Sequence, residues 1–287
     1  MYRYVPYSEI DKNKWNGTVH YATNGNIFGH YWYLKAVYKE WDGIVEDDYQ
    51  SVLPVLPSAN NSVYKFTPEL GPYSVKQLNK DRTSTMVELM KKYTSGHYFP
   101  IHSAVDLDYI NFLSSNTLPS QKLNLIDSYE AITDGYTSEV HTAFEKVKKE
   151  AVTFVSSVKP EIIVAQANLT NESKNIYLRI MYNAMHRGIG WSQGITDKKT
   201  GKYLALSFFV VSHNVIHEIL YLKHQPMEYR WLLYDMALKN SAGKPTLFMT
   251  YHDDDAALAI GFKKTKSALI QFSEERKKSW WDQFRNK

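Results

Sequence analysis

Two short stretches hold the residues best suited to moving protons. The run VIHEILYLKH (215–224) alternates like a β-strand. Glu218 then shares one face with Ile216, Leu220 and Leu222, and His217 shares the other with Val215 and Tyr221. Burial among aliphatic side chains raises a carboxylate's pKa and makes it a base useful near neutrality. The other use of such a residue is a buried carboxylate paired with a cation. In the second stretch, TYHDDDAAL (250–258), Tyr251 and His252 close a strand ahead of Asp253, Asp254 and Asp255. Tyrosine and histidine can each give or take a proton, whereas the aspartates equally suit the cap of a following helix. Three successive aspartates cannot all face one ion, so no metal site is expected. Base, acid and hydrogen-bond donors together are what acyl transfer to an amine requires. Trp191 and Gln193, alternating on an earlier strand, and Tyr221 are candidates for substrate contact; core packing is their other use. Lys146, Lys148 and Lys149 form either a stripe for phosphates or a solvated helix face.

These residues need a scaffold, and the composition allows a large one. The chain has 287 residues, 44% hydrophobic and 22% charged, the balance of a globular protein with one large core or two smaller ones. Cysteine is absent, which excludes disulfides, thiolate catalysis and Cys-ligated zinc and suits a reducing compartment. The start of the chain has no apolar core of signal-peptide length, and YLALSFFVV (203–211) is about half the length of a spanning helix. A cytoplasmic protein without membrane association is therefore expected. The formal net charge of +4 is mild, though it favours an anionic ligand.

The pattern predicts a helix over 26–39, a hairpin over 41–57 and a turn at 58–61. A third strand over 62–70, closed by Gly71-Pro72, follows, then a helix over 83–93 with a capping box of Thr85 and Glu88. Strands are expected over 97–105 and 122–132. A long amphipathic segment spans 138–158. The second half predicts a helix over 171–187 stopped by Gly188, then strands over 188–196, 203–211 and 215–224. Pro226 opens a helix running to residue 240; a strand (245–252), a short helix (254–262) and a last strand (266–272) follow. The final 15 residues, with Trp280 and Trp281, read as an amphipathic helix. Each half thus runs helix, three antiparallel strands, helix, strand, final strand. The expected fold class is α/β (α+β), with two tandem units, 1–135 and 136–287, each a mixed, largely antiparallel sheet flanked by helices.

This order resembles the GNAT (Gcn5-related N-acetyltransferase) fold, and its duplication resembles the Fem-type aminoacyl and peptidyl transferases. Leu70, Gly71, Tyr73 and Ser74 are similar to the exit of the first-unit strands in that family. Tyr136, Ser138, Lys148 and Lys149 are similar to the helix that opens its second unit, and Gly261-Phe262 to the end of its last helix. The resemblance implies an N-acyltransferase, with an acyl-CoA or an aminoacyl-tRNA as co-substrate and a small-molecule or peptide amine as acceptor. No tightly bound cofactor is implied. It puts the base on the strand holding His217 and Glu218, with Tyr251 and His252 where substrate enters between strands. It also puts the donor's pyrophosphate at HQPMEYRW (224–231), beside Met227, Tyr229 and Arg230. Family members that use acetyl-CoA carry glycines there, because side chains block the phosphates. Met227 and Tyr229 stand in their place, Pro226 removes an amide, and Ala257 replaces the usual acidic tyrosine. Conventional acetyl-CoA binding is therefore not expected, and tRNA fits better as the donor's carrier. A catalytically inactive GNAT-fold binding protein is the alternative.

Overall fold

The computed structural model describes residues 1–56, 63–94, 98–112, 114–222 and 225–272. They form two compact units: Met1–Thr117 together with the chain from Ser267, and Leu118–Lys266. Among the described residues no helix is long and apolar enough to cross a membrane. The turn expected at 58–61 and the helix expected over the final 15 residues lie outside the described residues.

The first unit contains β1 (Tyr2–Val5), α1 (Lys12–Tyr21), α2 (Tyr31–Tyr38), β2 (Asp42–Glu46), β3 (Ser51–Val55), β4 (Tyr73–Ser74), α3 (Lys80–Lys91) and β5 (Tyr98–Ile101). Strands β1 to β4 make an antiparallel sheet in chain order. The hairpin β2–β3 forms where the sequence predicts one, and its buried Ile44, Val45, Val52 and Leu53 form core. Helix α1 packs on β3 and β4, and α3 packs on β1, β2 and β3. Strand β6 (Ser114–Asn124) then runs into the second unit.

The second unit continues with α4 (Tyr129–Asp134), α5 (Ser138–Val147), β7 (Val152–Ser156), α6 (Pro160–Gln166), α7 (Asn171–His186), β8 (Gly190–Asp197), β9 (Tyr203–Ser212) and β10 (Val215–Tyr221). Next come α8 (Met227–Lys239), β11 (Leu247–Thr250), α9 (Asp255–Ala259) and β12 (Lys263–Gln271), of which the residues from Ser267 on are counted with the first unit. Its sheet runs β6-β11-β10-β9-β8-β7, antiparallel throughout except for β10 with β11. His213 and Asn214 turn β9 into β10 at φ 53° and 55°, the positive-φ pair of a type I′ hairpin turn. On the α8 face of this sheet Phe209, Ile216, Tyr234, Ala237, Leu238 and Phe248 form one core with Leu125 and Val140.

The element order β-α-α-β-β-β-α-β, then a short helix and a strand, occurs from β1 to β6 and again from β7 to β12. The short helix of the first run is a 3-10 turn at Leu107–Tyr109. Helices α4 and α5 stand between the two runs, and the division expected near residue 135 falls between them.

Several expected elements differ, each for a local reason. The helix expected over 26–39 is a 3-10 turn (Ile27–Gly29) followed by α2. Asn26 caps the turn by accepting from the backbone N–H of Phe28 and Gly29. The third strand shrinks to Tyr73–Ser74, since Val63–Phe66 forms a 3-10 turn and Pro68 has no N–H for a ladder. Helix α3 starts three residues before 83 because Asn79, accepting from Arg82 N–H at 2.9 Å, is the cap in place of Thr85. Residues 129–134 are helical, not extended, because Ser128 accepts from Ala131 N–H and nucleates α4. The segment 138–158 divides into α5 and the edge strand β7.

Gly29 marks a tight contact. A Cβ there would stand 2.4 Å from the Tyr73 ring. That ring is fully buried and held by a 3.0 Å hydrogen bond to Asn26. Gly29→Ala is expected to lower stability by about 1–3 kcal/mol, the usual cost of overpacking a filled core. Chemical denaturation measures the difference.

Candidate functional site

Strands β10 and β11 are parallel neighbours over three pairs, Val215–Leu247, Ile216–Phe248 and His217–Met249. Beyond them the two part. Strand β10 shifts its register against β9 between Glu218 and Leu220, the signature of a bulge, and β11 ends at Thr250. The residues at this fork come from β10, α8 and the segment after β11.

On the α8 face of the fork lies a buried ionic network. Arg230, in the first turns of α8, is 2% exposed and turns into the sheet instead of out toward solvent. Its Nη1 and Nη2 donate to Glu218 Oε1 and Oε2, each at 2.5 Å. Its Nε and Nη2 donate to Asp254 Oδ2 at 3.0 and 2.7 Å. Nη1 also donates to Ser207 Oγ at 3.0 Å, and Nη2 to the Tyr234 hydroxyl. Ser207 donates to Glu218 Oε1 at 3.0 Å, and the Tyr234 hydroxyl lies 2.9 Å from Glu218 Oε2 and 2.8 Å from Asp254 Oδ2. The guanidinium sits over the rings of Tyr221 and Tyr234, 4.0 and 4.3 Å from their centroids. Tyr221 in turn stacks on His252 at 4.3 Å.

Glu218 is thus a structural anion. Both its oxygens accept two hydrogen bonds, and its side chain has no solvent exposure. A carboxylate held this way has no lone pair facing a substrate. Burial by itself would raise the pKa of Asp254. The hydrogen bond with His252 and the charge and hydrogen bonds of Arg230 outweigh it and hold Asp254 below the usual carboxylate range. Burial would lower Arg230, yet the charge and hydrogen bonds of Glu218 and the charge of Asp254 raise it above its ordinary value. Burial pushes the Tyr221 hydroxyl up to about 12.

Glu218, His252 and Asp254 bring three metal-ligand atoms within 4.8 Å of one another. The cation already among them is the Arg230 guanidinium, so a divalent ion would have to displace a bidentate ion pair. Asp254 serves two ends at once: Oδ2 meets Arg230, while Oδ1 accepts from Ala256 N–H at 2.9 Å and caps α9. The capping role was legible in the sequence. Ser207 and Tyr234 were not, although Tyr234 stands four residues after Arg230 on the same helix face.

His217 points to the opposite face. It is buried, and its Nδ1 lies 2.6 Å from the Tyr251 hydroxyl, with the two rings nearly parallel. With the ring proton on Nε2, Nδ1 accepts from Tyr251. Of the four residues expected to handle protons, the fold therefore joins His217 to Tyr251, and Glu218 and His252 to the Arg230 network.

The remaining candidates divide similarly. Trp191 packs against Phe209 on the α8 face of the sheet, and Gln193 pairs in register with Ser207. Met227 is 42% exposed at the start of α8, and Tyr229 donates to Glu150 at 2.8 Å. Pro226 is the N-cap and Glu228 lies in the first turn, so that helix end carries its own carboxylate where a phosphate would need amides. Lys146 is flanked by Glu150 and Glu228 at 3.9 and 3.8 Å, and Lys148 pairs with Glu145. Two of the three lysines of the stripe thus have acidic neighbours.

The first unit holds a related arrangement. Arg82, in the first turn of α3, donates to Glu46 at 2.8 and 3.3 Å. Ser51 and Tyr2 complete the carboxylate's shell.

Two outcomes follow from the Arg230 network. Glu218→Gln leaves a fully buried guanidinium short of one charge and is expected to lower stability by about 3–5 kcal/mol in urea unfolding. The depressed pKa of Asp254 makes its share of stability complete above the unfolded carboxylate's value, about 3.9, and progressively lost as pH falls through the lower folded value. In melting curves recorded from pH 7 down to pH 2, Asp254→Asn is expected to be less stable than wild type at pH 7. The gap should narrow below about pH 4.

No family model matches the sequence. No curated protein matches it significantly either. Solved structures match in fold. A tandem GNAT protein from the clavulanic acid biosynthesis pathway aligns with a TM-score of 0.52 at 11% identity, over 96% of this chain and 98% of that one. FemX aligns with a TM-score of 0.56 at 8% identity, over 91% and 96% of the two chains. A conserved protein of unknown function from Bacteroides thetaiotaomicron aligns with a TM-score of 0.56 at 10% identity, over 93% and 99%. The chain shares the fold of these proteins along nearly its whole length. At such identities the likeness is one of fold alone.

Proposed function

We propose that the protein is an N-acyltransferase that moves an acyl or aminoacyl group onto an amine, at the fork between β10 and β11. The observation that carries this reading is the 2.6 Å hydrogen bond between His217 Nδ1 and the Tyr251 hydroxyl beside that fork. The neutral amine attacks the acyl carbon, and the N–H proton it sheds passes to the Tyr251 oxygen as the tyrosine proton moves to His217. Collapse of the tetrahedral intermediate breaks the bond to the donor's sulfur or oxygen, and the proton returns through Tyr251 to that leaving atom. Backbone N–H groups at the bulge of β10 polarise the carbonyl. The charged network of Arg230 holds the fork's shape and takes no part in proton transfer.

The N-terminus of α8, with Pro226 as cap and Glu228 in its first turn, disfavours the pyrophosphate of an acyl-CoA. An aminoacyl-tRNA, gripped elsewhere, is the donor class this end best tolerates, and a small-molecule or peptide amine is the acceptor. The same closed helix end favours a second reading, a GNAT-fold protein that binds a partner without turnover.

A panel of acyl-CoA and aminoacyl-tRNA donors tested with primary-amine acceptors separates the two. In an acyltransferase, Tyr251→Phe should lower kcat by about 10²–10⁴-fold, the usual worth of a positioned acid–base group, while the protein stays folded with a stability loss of no more than about 1–3 kcal/mol for the lost hydrogen bond to His217. A donor and acceptor turned over equally well by Tyr251→Phe would remove the pair from the mechanism. A fully inactive wild type across the panel would favour the binding protein.

A further inference from the structure

Two opposed side chains in the second unit hold three buried polar atoms with no hydrogen-bond partner among the described residues: Gln121 Oε1, Gln121 Nε2 and Thr250 Oγ1. Both residues are fully buried, at 0% exposure. They face each other in register across the antiparallel pair β6–β11. Directly opposed residues rise from the same face of a sheet. That face is the one carrying Leu123 and Phe248, the pair two positions along, which packs in the core beneath α8. Thr250 also ends β11, one residue past the last pair with β10 and one before Tyr251. The spot therefore lies at the fork, on the face opposite the His217–Tyr251 pair.

Buried polar groups are nearly always satisfied, and side chains left unpaired are costly. The chemistry of these atoms says what would satisfy them. Gln121 presents a donor and an acceptor, and the Thr250 hydroxyl is both. A carboxylate only accepts, so it would leave Gln121 Oε1 unpaired and bring a buried charge. An ammonium only donates and would leave Nε2 unpaired, again with a charge. An uncharged carboxamide, with one C=O and one N–H, matches both.

We propose that Gln121 and Thr250 form a subsite for an uncharged, amide-bearing part of the substrate. Its role rests on the acyltransferase reading: the group transferred is a polar, amide-bearing acyl chain. A plain alkyl acyl group would leave the subsite's polar atoms unpaired, the strongest form of substrate rejection. Its existence as a binding site does not depend on turnover.

The test uses the full chain labelled with ¹⁵N. The side-chain NH₂ signal of Gln121 is assigned by its loss in Gln121→Leu, or in Gln121→Met should the first fail to fold. N-methylacetamide is the probe, with sodium acetate and methylammonium chloride as charged controls. The expected result is a saturable shift of that signal with N-methylacetamide alone, half-complete at a concentration on the order of ten millimolar, as suits so small a ligand. In Thr250→Val the midpoint should rise at least tenfold, by the loss of one good hydrogen bond. That variant should melt at or above the wild-type temperature, since it removes an unpaired buried hydroxyl. A signal unmoved by the probe, an equal shift in Thr250→Val, or a lower melting temperature in that variant would overturn the subsite. The last result would show the hydroxyl to be satisfied within the free protein. None of these outcomes bears on Tyr251→Phe turnover, so the subsite and the reaction fail separately.

Discussion

Arg230 is the group on which the second unit's fork depends. Its guanidinium is buried and makes hydrogen bonds to β9 through Ser207, to β10 through Glu218, to the start of α9 through Asp254 and to its own helix through Tyr234. A buried cation is costly unless nearly all its donors are met, and a rigid five-donor fork is demanding to meet. Here two carboxylates, two hydroxyls and two aromatic faces meet it. Removing one partner leaves the others with a charge they cannot hold, so the positions of α8, the bulge of β10 and the cap of α9 are fixed together.

That constraint divides the fork by face. Strand alternation sends Glu218 toward α8 and His217 away from it, one residue apart in sequence and on opposite sides of the sheet. The ionic network engages Glu218 on one side, and the His217–Tyr251 pair, to which we assign proton transfer, stands on the other. It also explains why α8 offers so little to a phosphate, because its arginine is turned inward and its first turn carries Glu228. The first unit uses the same chemistry on a smaller scale. Arg82 in the first turn of α3 meets Glu46 with the help of Ser51, and its side chain is 15% exposed where that of Arg230 is 2%. In both units an arginine ties the start of the main helix to the sheet.

The amino-acid sequence by itself determined the elements with strong periodicity or strong turn chemistry. The apolar pairs Ile44-Val45 and Val52-Leu53 on either side of an acidic turn marked the hairpin, Gly188 and Pro226 bounded the helices of the second half, and the repeated order of elements gave the duplicated α/β fold. It failed where a short polar residue outranked an apolar pattern, as Ser128 did in starting α4 and Asn79 in starting α3. It also placed His217 and Glu218 on one strand, with period-2 alternation putting them on opposite faces of β10 whatever the partners. What it could not assign was partnership. Whether Glu218 is a base or one half of an ion pair depends on which side chain meets it, and Arg230, 12 residues later, comes from a different element. Asp254, Ser207 and Tyr251 likewise reach their partners only because three strands and a helix converge at one end of the sheet. Such contacts follow from strand order and the bulge of β10, which are properties of the folded chain that no local pattern encodes.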